Sequence, residues 1–111
     1  SISWKMRVTT VLQHLLVQGS TQKEQIAAVL GLSPRALQNR LAEEGCSYVQ
    51  ILDEVRHKLA LNYIADPLLT LGQIAVLLNF SDASAFYRAF RRWTGAVPGE
   101  YRQRLQEQLR G

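Results

Sequence analysis

Apolar residues recur along this chain at helical spacing, and the interruptions are residues that stop helices. Trp4, Val8, Val11, Leu12, Leu15 and Leu16 form one stripe that ends at Gly19. Thr21, with Glu24 three residues on, reads as a capping box for a second helix that buries Ile26, Ala27, Val29 and Leu30 and meets Gly31. Ser33 before Pro34 is a cap followed by the imino acid favoured at the first helical position, opening a third helix with Ala36, Leu37 and Leu41 inward and Gly45 at its end. A longer helix is predicted from about Ser47 to Asp66, with Val49, Leu52, Val55, Leu59, Ala60 and Tyr63 inward, and Pro67 prevents its continuation. A fifth starts near Thr70 and stops at Asn79, burying Leu71, Ile74, Ala75, Leu77 and Leu78. The sixth, from Ser81 or Asp82 to Gly95, buries Phe86, Phe90 and Trp93; Pro98 opens a seventh that frays toward Gly111. No stretch alternates with period two. The fold class is therefore all-α, with about seven helices.

Part of this pattern repeats. Residues 25–33 read Gln-Ile-Ala-Ala-Val-Leu-Gly-Leu-Ser and residues 73–81 read Gln-Ile-Ala-Val-Leu-Leu-Asn-Phe-Ser, identical at five of nine positions at an offset of 48. The turn position holds Gly31 in one copy and Asn79 in the other, the two residue types that most readily adopt a left-handed backbone. After one inserted residue, Leu37 and Leu41 correspond to Phe86 and Phe90. Each copy is thus a short helix, a tight turn and a second helix with one apolar and one polar edge, the grammar of a helix-turn-helix. The alternative is a pair of helical hairpins in an ordinary bundle.

The stretch Phe80-Ser81-Asp82-Ala83-Ser84-Ala85-Phe86-Tyr87-Arg88-Ala89-Phe90-Arg91-Arg92-Trp93-Thr94-Gly95, followed by Pro98 and Tyr101-Arg102, resembles the signature of AraC/XylS-family transcriptional regulators. Ser33 through Leu37-Gln38-Asn39-Arg40-Leu41 to Glu44-Gly45 is similar to that family's N-terminal helix-turn-helix. The likeness covers roughly residues 5–105. Asn79 stands where the family usually has glycine, and Ala83 and Ala85 give the second reading helix little hydrogen-bonding capacity at its start. The resemblance implies two helix-turn-helix subdomains, residues 1–46 and 67–111, joined by a linker helix over 47–66. It further implies a bacterial regulator, by default an activator touching RNA polymerase, whose N-terminal effector or dimerisation domain is absent from this chain. A start at Ser1 without methionine fits an excised fragment.

A third helix lying in a major groove presents Arg35, Gln38 and Asn39, with Arg40 nearby. Arginine suits bidentate contact with guanine, and glutamine or asparagine with adenine. Arg35 and Gln38 are assigned to bases; Asn39 and Arg40 stay between base and phosphate. The second unit presents Ala83, Ser84, Tyr87 and Arg88, then Arg91 and Arg92. Ala83 offers at most contact with a thymine methyl, Ser84 is an ambiguous reader, Arg88 suits a base, and Arg91 and Arg92 suit phosphate. A linker of about 19 residues spans ~28 Å, against ~34 Å between successive major grooves on one face of DNA. The expected target is an asymmetric double-stranded site.

Composition narrows the alternatives. The 111 residues carry 13 Lys+Arg and 9 Asp+Glu, a formal charge of +4. Residues 1–66 hold seven basic and six acidic side chains, and residues 67–111 hold six and three, so the excess sits in the second unit. Apolar residues make up 47%, which is core-forming composition and excludes a disordered tail. No apolar run approaches the ~18 residues of a membrane span, and no secretory leader is apparent, so a cytoplasmic setting and no membrane partner are expected. The one cysteine, Cys46, makes no internal disulfide and reads as a packing residue rather than a redox switch. His14 and His57 read as single boundary residues, and Trp4, Trp93, Tyr48 and Tyr63 as core. There is no metal-ligand spacing, phosphate loop or nucleophile–base pair. Neither enzymatic activity nor a cofactor or metal is expected. The remaining rivals are an adaptor that binds an acidic protein and a non-specific architectural DNA-binding protein.

Overall fold

A computed structural model describes residues 2–111; Ser1 lies outside the described residues. Those residues form seven helices and no strand, so the chain is all-α. In order they are α1 (Trp4–Val17), α2 (Lys23–Val29), α3 (Pro34–Glu43), α4 (Tyr48–Ile64), α5 (Leu71–Leu77), α6 (Ala83–Thr94) and α7 (Pro98–Arg110). The described residues divide into two compact units, 2–56 and 57–111, with the division inside α4.

In the first unit α2 packs on α3, and α1 packs against both. Val8, Leu12, Leu16, Ile26, Leu37, Leu41 and Ile51 are buried there almost completely. In the second, α5 packs on α6 and α6 on α7, around Ile64, Ile74, Leu78, Phe86 and Phe90. The repeated positions do equivalent work. Ile26-Ala27 and Ile74-Ala75 are buried, as are Leu37/Leu41 and Phe86/Phe90.

Both turns of the repeat have one hydrogen-bond pattern. Gly31 has φ +73° and Asn79 φ +60°, the only positive value at a non-glycine residue among those described. Gly31 N–H donates to the Ala28 carbonyl and Leu32 N–H to that of Ala27; Asn79 N–H donates to Val76 and Phe80 N–H to Ala75. This is the Schellman closure, in which a left-handed residue lets two amides satisfy orphan carbonyls at the helix end.

Helix starts follow the sequence with one exception. Ser33 Oγ accepts from Ala36 N–H, Thr70 and Gln73 form a reciprocal capping box, and Asp82 Oδ1 accepts from Ala85 N–H. Ser47 and Gln50 form another box at the head of α4. The box expected from Thr21 and Glu24 does not form: α2 starts one residue later, with Gln22 at the cap and no side-chain bond. Around this start the Ser20 and Gln25 side chains bond to one another, and the Tyr48 hydroxyl, twenty-seven residues on, donates to the Thr21 carbonyl at 2.5 Å. Two expected core residues are also exposed, Val29 at 61% and Val49 at 73%. At 100° per residue Val29 lies roughly 110° from the centre of the Ile26–Ala27 stripe, and Val49 roughly 140° from that of Ile51 and Val55. Helix α4 is shorter than expected, ending at Ile64.

That end is closed from α7. Arg102 donates from Nε to the Ile64 carbonyl at 3.1 Å, from one terminal nitrogen to Leu69 at 2.7 Å and from the other to Asp66 at 3.2 Å. One guanidinium thus satisfies the carbonyls left by the end of α4 and the loop before α5.

The left-handed turn at Asn79 gives a direct test. Asn79→Val should unfold at lower denaturant than Asn79→Gly, by about 1–2 kcal/mol, because a β-branched side chain clashes at positive φ. Equal stability of the two variants would show that the turn does not require the left-handed conformation.

Candidate nucleic-acid interface

Ser33 and Pro34 set where α3 begins, and burial of Leu37 and Leu41 sets which way it faces. The opposite side carries Arg35, Gln38, Asn39 and Ala42, all exposed and within one arc of about 100°. Three of the four first-unit candidates are therefore brought together. The fourth, Arg40, is directed elsewhere. It is exposed, but its guanidinium carbon lies 5.1 Å from the centre of the Trp4 ring, where Arg7 also sits at 4.6 Å. The Glu44 carboxylate accepts from the backbone N–H groups of Trp4 and Lys5 at 2.8 and 2.9 Å, tying the end of α3 to the start of α1. Trp4 is consequently half-buried beneath arginines rather than in the core. Nothing in the local pattern around residue 4 signals this long-range cluster.

In α6, Phe86, Ala89 and Phe90 are buried, with Trp93 beside them, half-buried. The opposite, exposed arc holds Ser84, Arg88 and Arg91 within about 60° of one another. Tyr87 flanks this arc at 39% exposure with its ring edge-on to Phe86, and Ala83 lies exposed at the helix start. Arg92 flanks it on the other side, 5.8 Å from the centre of the Trp93 ring. Trp93 in turn stacks on His57, ring centres 5.1 Å apart and planes 12° from parallel, so His57, expected as a single boundary residue, has an aromatic partner. Tyr48 and Tyr63 are half-buried as well.

Beside α3 opens a cleft of about 420 Å³ lined by Lys23, Gln38, Ala42, Cys46, Ser47 and Tyr48. Cys46 turns its thiol toward the Leu41 carbonyl at 3.6 Å, in keeping with a packing role. Burial pushes the Tyr48 phenol up to about 12, with nearby Arg56 opposing the shift and Glu24 adding to it. Burial lowers Arg56, which Tyr48 and Asp53 partly offset. Among the described residues no group of His, Cys, Asp or Glu could hold a metal ion, and no helix is long and apolar enough to cross a membrane.

Each helix-turn-helix unit thus offers its own candidate surface, an exposed, hydrogen-bonding or cationic arc on its second helix. A family model described as a helix-turn-helix domain matches residues 26–104. The chain belongs to the AraC/XylS helix-turn-helix family. This family consists of DNA-binding transcriptional regulators, not enzymes. The chain is 49% identical over 80 residues to the ornithine utilization regulator of Pseudomonas aeruginosa, covering 72% of this chain and 24% of that protein. It is 44% identical over 96 residues to the HTH-type transcriptional regulator VirS of Mycobacterium tuberculosis, covering 86% and 28%. The chain thus spans about a quarter of the length of these relatives. A DNA-binding transcriptional dual regulator from Escherichia coli K-12 superposes with a TM-score of 0.89 at 31% identity, over 96% of each chain.

The Tyr48 wall of the cleft gives this AraC-type domain an alkaline limit. The unfolded phenol ionises near 10 and the folded one near 12, so the folded state holds the proton more tightly and stability falls as pH rises between these values. Tyr48→Phe should cost about 1 kcal/mol at neutral pH, through the lost bond to Thr21, and should flatten the decline. Urea unfolding from pH 8 to 12 measures both, and an unchanged decline in the variant would remove Tyr48 as its source.

Proposed function

We propose that this domain binds an asymmetric double-stranded DNA site through α3 and α6, each in a major groove, with Arg35 and Gln38 as the principal base readers. The observation that carries this reading is the exposed α3 arc that joins Arg35, Gln38 and Asn39 opposite the buried Leu37 and Leu41. A guanidinium and two carboxamides on one edge match the acceptors and donors that distinguish guanine and adenine in the major groove. Asn39 shares that edge and reads with them. Arg40, engaged with Trp4, serves phosphate or packing instead of base contact. In α6, Arg88 and Ser84 take the base-facing role, Ala83 and Tyr87 border it, and Arg91 and Arg92 meet phosphate. The first unit then supplies most hydrogen-bonded discrimination, and the second most electrostatic affinity.

The domain organisation that goes with this reading is two subdomains, 1–46 and 67–111, with α4 between them as a spacer. Its 17 residues measure about 26 Å, commensurate with grooves ~34 Å apart on duplex that bends somewhat. In the whole regulator, family membership supports an activator that touches RNA polymerase in the cytoplasm. An effector-sensing or dimerisation domain accompanies it in another part of the protein, with neither cofactor nor metal in this domain.

Two experiments test the assignment of roles. On a site selected from random duplexes, Arg35→Ala and Gln38→Ala should each lose about 1–3 kcal/mol of binding that is retained on random DNA. Equal losses on both DNAs would reassign these residues to phosphate. Replacing Arg91 and Arg92 together with alanine should weaken both DNAs alike and reduce the log–log salt slope by about two. Arg88→Ala should act mainly on the selected site, relaxing choice at one base pair. A double variant with an unaltered slope would place Arg91 and Arg92 away from DNA.

A further inference from the structure

The cleft beside α3 and the internal repeat together single out a residue with no assigned role. At the repeat offset of 49 that pairs Leu37 with Phe86 and Leu41 with Phe90, Ala42 corresponds to Arg91. Ala42 and Arg91 are both exposed, each on the outward arc of its reading helix, two turns after Arg35 and Ser84 respectively. The second unit therefore has a cation at the position where the first has only a methyl group. Lining the same cleft as Ala42, but from the start of α2 rather than from α3, the first unit has a cation of its own, Lys23. At the offset of 48 that aligns the first helices, Lys23 corresponds to Leu71, so the second unit lacks a charge on that side. The positive charge stands on the first helix of the motif in one copy and on the second helix in the other.

We infer that Lys23 binds a DNA backbone phosphate seated in this cleft and is the first unit's counterpart of Arg91. The inference rests on the DNA-binding reading above and extends it to the backbone beside the groove read by Gln38, which lines the same cleft. In a helix-turn-helix the first helix crosses the phosphate backbone while the second enters the groove, so a cation at the head of α2 is directed at phosphate rather than at a base. Lys23 forms no ion pair with Glu24 or any other described carboxylate, so its charge is available to a ligand. The cleft is open enough to admit a phosphate, and Ser47 on its wall adds a hydroxyl donor.

The charge exchange supplies its own test. Lys23→Ala should weaken binding to selected and random duplexes by the same factor and lower the log–log salt slope by about one. Adding Ala42→Arg in the same protein should restore the slope and most of the affinity from α3, because that places the cation where the second unit has it. Urea unfolding of both variants, expected to match wild type, separates lost contact from lost fold. A Lys23→Ala protein that is stably folded and retains the wild-type slope overturns the inference, as does a double variant whose slope stays low. Loss confined to the selected duplex would also overturn it, by making Lys23 a reader. Failure of the DNA reading itself is distinguishable: the wild-type domain would then show no salt-dependent binding to either duplex.

Discussion

Helices α2 and α5 are seven residues each, two turns, and helices so short have little stability of their own in water. What gives them a fixed place is the left-handed residue that follows, Gly31 or Asn79, with its paired closing bonds. That closure reverses the chain within a few residues and delivers Ser33 or Asp82 to cap the next helix. The outward arcs of α3 and α6 inherit their direction from it. A shift of one residue in either turn would rotate the following helix by about 100° and carry its polar edge away from solvent. Asparagine meets the same backbone demand as glycine, which is why the repeat survives a change at its most constrained position.

The two copies keep this geometry while differing in how it is filled. Leu37 and Leu41 in one are Phe86 and Phe90 in the other, all without exposed surface. The phenylalanines bring further aromatic contacts, with Phe90 edge-on to Tyr101 at 5.2 Å and Phe86 to Phe90 at 5.8 Å. The outward edges diverge in the opposite sense. The first unit offers carboxamides and one guanidinium; the second offers three arginines within five residues and a small hydroxyl. Equivalent scaffolds thus carry different chemistry, one suited to hydrogen-bonded discrimination and one to charge.

Polar contacts over long sequence separations hold these scaffolds where apolar packing is thin. Glu44 supplies the amides at the head of α1 with an anion, which the helix dipole favours there, forty residues away in the chain. Arg102 does the converse for carbonyls at the end of α4, and its planar fork reaches three acceptors that a lysine could not serve together. Arg7 and Arg40 over Trp4 show the same economy, using an aromatic face to hold charge at the surface.

Much of this was legible in the sequence because it depends on neighbours in the chain. Helix number, the caps at Ser33, Thr70 and Asp82, the left-handed turn at Asn79 and the buried stripe through Phe86 and Phe90 are set by interactions spanning at most about five residues, and periodicity records them. The polar arc of α3 followed directly, since whatever is not buried against Leu37 and Leu41 must face outward. Tertiary structure alone decided the rest. The cap foreseen at Thr21 does not form, the Thr21 carbonyl accepting instead from the distant Tyr48, and Val29 and Val49 fall outside their buried stripes because a stripe's centre depends on what packs against it. Arg40 looked like a neighbour of Gln38 in the chain, yet the partner that captures it, Trp4, lies thirty-six residues earlier. Lys23 carries no motif and gains meaning only when α3 and the start of α4 enclose a cleft beside it. Local order specifies where helices begin, turn and stop; which charges share a surface depends on contacts between segments far apart in the chain, and no local pattern encodes them.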